Sequence, residues 1–197
     1  MDEQLELEEW VSAVRKGDKE PYGCIVRKYQ QALYVYCFHL LLQREEAEDA
    51  VQDVFVKAYE KLHLYVEGKS FSAWLYKIAH HHCINLLKKR QRMRLLGWWM
   101  RVNESGHSGD EGSERLERQE LTLAAWRTLQ HLNHTERALV TLRVVQGKSY
   151  EEIADVFPLR PEALRKKSRE SQDKAEKNMD GNGGESECGW RAGGSGV

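Results

Sequence analysis

Proline is scarce in this 197-residue chain: only Pro21, Pro158 and Pro161 occur. Long stretches are therefore free to be helical, because nothing in them removes a backbone donor or clashes with the preceding turn. The four cysteines, Cys24, Cys37, Cys83 and Cys188, form no CxxC pair and keep no regular spacing. That pattern points to a reduced, cytoplasmic protein, not to a disulfide framework. No segment approaches the roughly 18 consecutive apolar residues that a membrane span needs. The opening residues, MDEQLELEEW, are acidic and lack the apolar stretch of a signal peptide. Strand-like alternation, internal repeats, a Gly-rich phosphate loop, HExxH and nucleophile motifs are all missing from the pattern, so an enzyme reading has no support.

What is present is charge, unevenly distributed. The formal net charge is −1. Residues 1–60 hold seven Lys/Arg against thirteen Asp/Glu, whereas residues 61–101 hold nine against one, Glu67. Residues 102–132 turn acidic again, three against six, and residues 133–197 balance at eleven each, with four bases crowded into RKKSR, Arg165–Arg169. Two basic patches separated by acidic stretches form the electrostatic footprint of a polyanion partner. A solvated charged surface is the plainer alternative for either patch taken alone.

The periodicity predicts an all-α protein of two helical domains joined by a flexible linker. Helices are expected over Leu5–Val14, Pro21–Leu42, Glu45–Leu62 and Phe71–Arg92, with a loop at His63–Ser70. The second is apolar nearly all round, which implies burial. The third keeps Ala47, Ala50, Val51, Val54, Ala58 and Leu62 at helical spacing. Asn103–Glu114 is rich in Gly, Ser and acid and reads as the linker. Beyond it, helices are expected over Arg115–Leu132, Asn133–Gly147, Ser149–Phe157 and Pro161–Lys177. Asn133 is a capping residue, Ser149 with Glu152 forms a capping-box pattern, and Pro161 suits a first turn. The domain limits are set at 1–100, 101–117 for the linker, 118–178, and 179–197 for a Gly-rich tail expected to be disordered.

The run AHHHCIN, residues 79–85, invites a metal site. On a helix at about 100° per residue, however, His80, His81 and His82 diverge, and ligands from one helix converge only at i, i+3 or i+4. His82 is expected on the apolar face, with His80 and His81 at the surface. His80 and Cys83 could meet but would need further ligands from elsewhere. The other face carries Lys77, His81, Ile84 and Lys88, with Asn85 beside them and Lys89 and Arg90 beyond. Such a stripe can bind phosphates, and aromatic and polar groups near the helix start can meet unpaired bases.

These residues carry a family resemblance. AEDAVQDVFVKAYEKL, Ala47–Leu62, followed by FSAWLYKIAHHHCINLLKKR, Phe71–Arg90, resembles region 2 of the extracytoplasmic-function (ECF) sigma factors of bacterial RNA polymerase. LNHTERALVTLRVVQGKSYEEIADVF, Leu132–Phe157, resembles the opening of region 4. The resemblance covers about residues 10–92 and 120–177. It implies a transcription initiation factor that binds core polymerase, at the β′ clamp helices and the β flap, and recognises the −10 and −35 promoter elements. It implies neither catalytic residues nor a cofactor, a metal or a small-molecule substrate. Family members are commonly held inactive, often at the membrane, by an anti-sigma factor, and many serve stress responses.

Carried over by position, the resemblance assigns polymerase binding to Asp49, Gln52, Asp53 and Phe55. It assigns −10 recognition to Lys69, Ser70, Phe71, Trp74, Lys77, His81, Asn85 and Lys88. Capturing an extruded base lets a pocket read it fully, at an unstacking cost of about a few kcal/mol. Core packing is an equal reading for Trp74. In the helix-turn-helix of region 4, Ser149–Phe157 becomes the positioning helix and Pro161–Lys177 the recognition helix. The −35 candidates are Arg160, Glu162, Arg165, Lys166, Lys167 and Arg169. This chain departs from the family at Pro158, where the family usually has Gly and where proline cannot adopt positive φ. It departs also at Arg160, usually Ser, at Ser168, usually apolar, and at Glu170 and Gln172, usually basic or small. Trp98 and Trp99 border the linker, where they can serve a partner or continue the helix packing. Two rival readings are a stand-alone helix-turn-helix regulator and a metal- or redox-responsive regulator using His80, Cys83 and Cys37.

Overall fold

The computed structural model describes residues 3–103, 129–157 and 159–180. All regular structure among them is helical. The first unit comprises α1 (Glu3–Arg15), α2 (Glu20–Leu41), α3 (Arg44–Glu60), a 3₁₀ turn (Leu62–Leu64) and α4 (Phe71–Asn103). The second comprises α5 (His134–Val140), a π-helical turn (Thr141–Val145), α6 (Tyr150–Val156) and α7 (Pro161–Asp180).

α2 begins with Pro21 in its first turn, where the missing N–H has no intrahelical partner to lose. It ends where Leu42 turns left-handed at φ 59° and donates its N–H to the Phe38 carbonyl at 2.8 Å. A side chain is rarely held in that conformation. The corner sends α3 back along α2. Leu33, Tyr36, Cys37, Leu40 and Leu41 of α2 are buried together with Ala47, Ala50, Val54 and Ala58 of α3 and Leu75, Ala79 and Cys83 of α4. Each large aliphatic side chain withdrawn from water in this way stabilises the fold by about 1.5–3 kcal/mol. Tyr36 and Tyr76 meet edge to face at 5.1 Å across the α2–α4 seam.

The segment between α3 and α4 is anchored from α1. The Arg15 guanidinium donates to the Leu62 carbonyl at 3.0 Å and to the Tyr65 carbonyl, and pairs with Glu67 at 2.9 Å. Three carbonyl and carboxylate acceptors on one planar group fix a stretch that lacks long-range secondary structure of its own. Ser70 then caps α4, its hydroxyl accepting from the Ala73 N–H at 3.2 Å.

In the second unit both capping boxes form. Asn133 accepts from the Thr135 and Glu136 N–H groups while Glu136 accepts from the Asn133 N–H at 2.9 Å. Ser149 and Glu152 reciprocate in the same way at the start of α6. Burial alone would raise the Glu136 carboxyl, but Lys174 of α7 at 2.5 Å and the Asn133 N–H outweigh it and hold it below the ordinary range.

The two units are docked on each other. α2 packs on α5 and α4 on α6, and one buried core runs through both. His39 Nδ1 lies 3.0 Å from Thr141 Oγ1, Arg137 donates to the Leu40 carbonyl at 3.0 Å, and Gln146 donates to the Ala32 carbonyl at 2.7 Å while accepting from the Tyr76 hydroxyl. His80 meets the Phe157 ring edge-on at 4.8 Å. A cleft of about 750 Å³ remains beside this joint, lined by Lys28, Tyr29, Ser70, Phe71, Gln146 and Lys148 among others.

Several expectations change. α4 runs past Arg92 to Asn103, since nothing in the basic stretch breaks a helix. Asn133–Gly147 is not one α-helix, because the chain widens into a π turn before Gly147 at φ 66°. His63–Ser70 opens with a 3₁₀ turn. His80 is not a surface residue but lies half-buried between Tyr36 and Phe157; a single helix cannot reveal what a distant segment brings over it. The expected helix at Arg115–Leu132 is described only from Leu129, where it is helical to His131, and the greater part of the linker and of the tail, with Pro158, lies outside the described residues.

Ser168 is fully buried on α7 and its hydroxyl has no partner. An unpaired buried hydroxyl costs about 1–3 kcal/mol, and alanine is also the better helix former. Ser168→Ala is expected to raise unfolding free energy by about 1 kcal/mol in urea titrations. A loss of stability would show that the hydroxyl is satisfied.

Candidate nucleic-acid and partner-binding surfaces

α3 buries Ala47, Ala50, Val54 and Ala58 on α2 and α4, and this fixes which residues face out. Glu48, Asp49, Gln52, Asp53, Val56 and Tyr59 form the exposed strip. Asp49, Gln52 and Asp53 are therefore brought together on one accessible face, at the i, i+3, i+4 spacing that makes helical residues neighbours. Phe55 is not among them: it is 7% exposed, and its carbonyl accepts from the Tyr22 hydroxyl at 2.5 Å. Its place on the strip is taken by Val56, 58% exposed, and by Tyr59. These two exposed apolar side chains were not singled out in the sequence, although the i, i+3, i+4, i+7 relation of Val56 to Asp49, Gln52 and Asp53 could have found the first of them.

Asp53 is tied to α4 as well. Its carboxylate lies 3.6 Å from Lys57 Nζ and 3.4 Å from His82 Nε2. Lys57 donates to His82 Nδ1 at 2.5 Å, so the ring carries its proton on Nε2, towards Asp53. Burial, and then the Lys57 cation, push His82 below the ordinary imidazole range, with Asp53 opposing them. His82 thus sits neutral under the acidic strip, in the half-buried place the apolar face of α4 predicted.

The second surface lies along α4. Lys69, Lys77, His81, Asn85 and Lys88 are exposed. His81 Nδ1 is 2.7 Å from the Lys77 carbonyl, which turns the ring along the helix. Ser70 is half-exposed and holds the cap. Phe71 is 1% exposed and packs against Tyr65 at 5.1 Å, Tyr29 at 5.7 Å and Trp74 at 5.3 Å. Trp74 is half-buried and also meets Tyr65 at 5.7 Å. Phe71 therefore shapes the aromatic floor while Trp74 keeps an open edge, and the packing reading of Trp74 holds for one of its faces. Lys69, Ser70 and Trp74 gather at the start of α4, with Lys77, His81, Asn85 and Lys88 following down one side.

The third surface belongs to α7, which comes after α6 in a helix-turn-helix arrangement. Phe157 is extended at φ −109°, ψ 144°, the conformation expected before a proline. Leu164, Ser168 and Ser171 turn inward, which leaves Arg160, Glu162, Arg165, Lys166 and Arg169 exposed and Lys167 half-buried. Arg165 donates to Glu151 at 3.0 Å and its guanidinium stands 5.6 Å over the Tyr150 ring, so α6 holds it in place. Lys166 reaches Glu170 only at 4.0 Å.

Metal or redox chemistry at the histidine run is poorly served. His80 Nδ1 shares a hydrogen bond with the Tyr36 hydroxyl at 3.1 Å. Cys83 contacts Cys37, which with burial pushes the Cys37 thiol well above its ordinary range, away from the thiolate that ligates or reacts. Among the described residues no three His, Cys, Asp or Glu side chains gather as ligands.

Comparison with known proteins agrees with this division. Residues 25–93 match the model of Sigma-70 region 2, and residues 122–167 that of Sigma-70, region 4. The chain is 30% identical over 182 residues to the RNA polymerase sigma-H factor of Pseudomonas aeruginosa, covering 87% of this chain and 94% of that one. It is 30% identical over 164 residues to the ECF RNA polymerase sigma-E factor of Escherichia coli, covering 80% and 85%. Two solved structures share the fold. CnrH in complex with the cytosolic domain of CnrY aligns with a TM-score of 0.66 at 22% identity, over 91% of this chain and 98% of that one. The sigma factor RpoE in complex with the anti-sigma factor NepR, from Bartonella quintana, aligns with a TM-score of 0.62 at 19% identity, over 84% and 99%. No described helix is long and apolar enough to cross a membrane. An acidic strip, a basic single-helix stripe and a helix-turn-helix, in that order and on those matched regions, make this chain a member of the ECF sigma factor family: a non-enzymatic factor that directs transcription initiation by RNA polymerase and binds DNA through region 4.

Proposed function

We propose that the α3 strip is the surface that holds core polymerase at its β′ clamp helices, and that α4 and α7 read the −10 and −35 elements. The observation that carries this reading is the segregation of charge in region 2. Asp49, Gln52 and Asp53 crowd one helix face, while Lys69, Lys77 and Lys88 line another. One face suits a basic protein partner and the other a phosphate backbone, so both can be engaged together. Region 2 spans 1–100 in this reading and region 4 spans 118–178, joined by the acidic linker 101–117, with 179–197 as a tail. The linker can occupy a channel shaped for nucleic acid, and region 4 meets the β flap.

Base reading falls to Lys69, Ser70, Trp74, Lys77, His81, Asn85 and Lys88. Phe71 acts from beneath by fixing Trp74, and Phe55 by fixing the α3 backbone against Tyr22. Stacking of an unpaired base on an aromatic edge and hydrogen bonding to its exposed edges favour the separated strand over the duplex. On α7, Arg165 and Arg169 are the residues suited to bidentate contact with guanine, with Arg160, Lys166 and Lys167 on phosphates and Glu162 near the groove entrance. RpoE of Bartonella quintana is bound by an anti-sigma factor, and control of this chain by such a partner, in the cytoplasm and in a stress response, belongs to the same proposal.

Asp49→Ala combined with Gln52→Ala is expected to weaken core-polymerase binding at least about tenfold, the size of a modest interface hot spot. Promoter-specific transcription in vitro should fall with it while thermal melting stays unchanged. Full activity of that variant would remove the α3 strip from the interface.

Lys77→Ala and Lys88→Ala should each reduce the salt dependence of binding to a single-stranded −10 oligonucleotide, by a slope of about 0.7. Fluorescence anisotropy across a salt series measures this, and an unaltered slope would clear α4 of phosphate contact. Arg165→Ala should cost about 1–3 kcal/mol against a −35 duplex and relax base preference at one position. A uniform loss across all sequences would instead mark Arg165 as a phosphate contact.

A further inference from the structure

His39 is a buried histidine that neither the polymerase-binding nor the DNA-binding surface uses. It is 5% exposed and sits where α2 meets region 4. The Thr141 hydroxyl donates to the Arg137 carbonyl at 2.8 Å, so its oxygen is left to accept. His39 Nδ1 is 3.0 Å away and must be the donor, and because burial disfavours a charge on the ring, Nε2 carries no second proton. The ring is therefore neutral, and its hydrogen bond crosses from one region to the other. His80 on α4 keeps its hydrogen bond within region 2 and reaches region 4 by a ring contact. Its ring lies between Tyr36 of region 2 and Phe157 of region 4.

Among the described residues no free acid stands by to accept a second positive charge on either ring. At His39, α5 presents Arg137, bonded to the Leu40 carbonyl, and α4 presents Arg90, bonded to the Leu41 carbonyl. The nearby carboxylate of α3, Glu46, is 3.6 Å from Arg90 and engaged by it. At His80, α4 adds His81 and α5 adds His134, with Tyr36 from α2 and Phe157 from the end of α6 uncharged. Lys88, Lys167 and Arg137 bear on His134 in turn. A proton on either ring would be a buried charge with no carboxylate paired to it, and separating the two regions is the direct way to rehydrate it.

We propose that the docked arrangement is a histidine-keyed latch, in which neutral His39 and His80 hold region 4 against region 2 and protonation of either ring releases it. Burial lowers His39 to about 4, and burial, with a smaller effect of His81 and His134 when they are protonated, lowers His80 to about 4. An imidazole in water titrates near 6.5. The docked pKa lies below the open one, so docking expels protons. It is tightest above about pH 6.5 and weakens about tenfold per pH unit for each ring as pH falls towards 4. Between pH 7.5 and 5.5 the open-to-docked ratio should rise about tenfold for one ring and about a hundredfold for both.

The latch needs neither polymerase nor DNA, so its failure and that of the polymerase assignment are separable. Single-molecule energy transfer on the full chain, with dyes on unnatural amino acids at the exposed positions Glu48 and Asp173, reads the two populations directly. Wild type should open on acidification by the stated factor. His39→Gln should lose about tenfold of that response, and His39→Gln with His80→Gln should lose nearly all of it, with far-UV circular dichroism unchanged. Thr141→Val should raise the open fraction already at pH 7.5. Proton NMR titration of the wild-type rings gives a second reading that needs no variant: both should titrate well below 6.5 while docked. A flat population across this range, an undiminished response in the double variant, or ordinary ring titration in the docked state would overturn the proposal.

Discussion

The described helices are arranged around the second half of α2, Ala32–Leu41, which has no polar face to spare. Leu33, Tyr36, Cys37, Leu40 and Leu41 are fully covered, and so is His39. A helix that is apolar nearly all round must be enclosed on every side, because leaving one large side chain in water forfeits about 1.5–3 kcal/mol. α1, α3 and α4 enclose most of it. The remaining side, around Ala32, His39 and Leu40, is met by Gln146, Thr141 and Arg137 of region 4. The compact arrangement of the two regions results from this one surplus of apolar surface.

With α2 inside, the outer helices are free to specialise. α3 needs only its Ala47, Ala50, Val54 and Ala58 edge for the core, and the opposite side carries acid, amide, Val56 and Tyr59. α4 gives Leu75, Ala79 and Cys83 to the interior and bases to the exterior. The acids of α3 and the bases of α4 are kept apart by geometry, save where Glu46 lies 3.6 Å from Arg90, while Asp53 reaches Lys57 of its own helix and the neutral His82 of α4. The contact at His82 braces α3 against α4 and uses one carboxylate, Asp53, for structure as well as for surface.

Much of this was legible in the sequence. Helix starts were marked by Asn133, Ser149 and Pro21, whose capping and first-turn chemistry is local and therefore readable. The inward edge of α3, with Ala47, Ala50, Val54 and Ala58, came from periodicity, and membership of the family from motifs in register. Phe55 and Phe71 were different. Both fall in stretches tied to function, yet they pack inward, since a motif position does not say which way an aromatic points. His80 was misplaced for a related reason. Its cover, Phe157, is contributed by a segment far along the chain, and single-helix geometry contains no information about it. The joint between the regions was invisible on the same ground, being built from pairs such as His39 with Thr141 that share no local pattern.

The π turn at Thr141–Val145 sets the phase of the chain beyond it. Gln146 donates its N–H to the Thr141 carbonyl five residues back, at 3.0 Å, so one more residue is fitted into the turn than an α-helix allows. An inserted residue rotates everything downstream by about 100°. Gln146 thereby swings onto Ala32 and Tyr76, and α6 sets off towards α4. Length in this short span is thus constrained more tightly than composition. Its side chains can drift within the limits of packing, but a one-residue deletion would turn Gln146 away from its partners and leave two sound modules facing each other out of step.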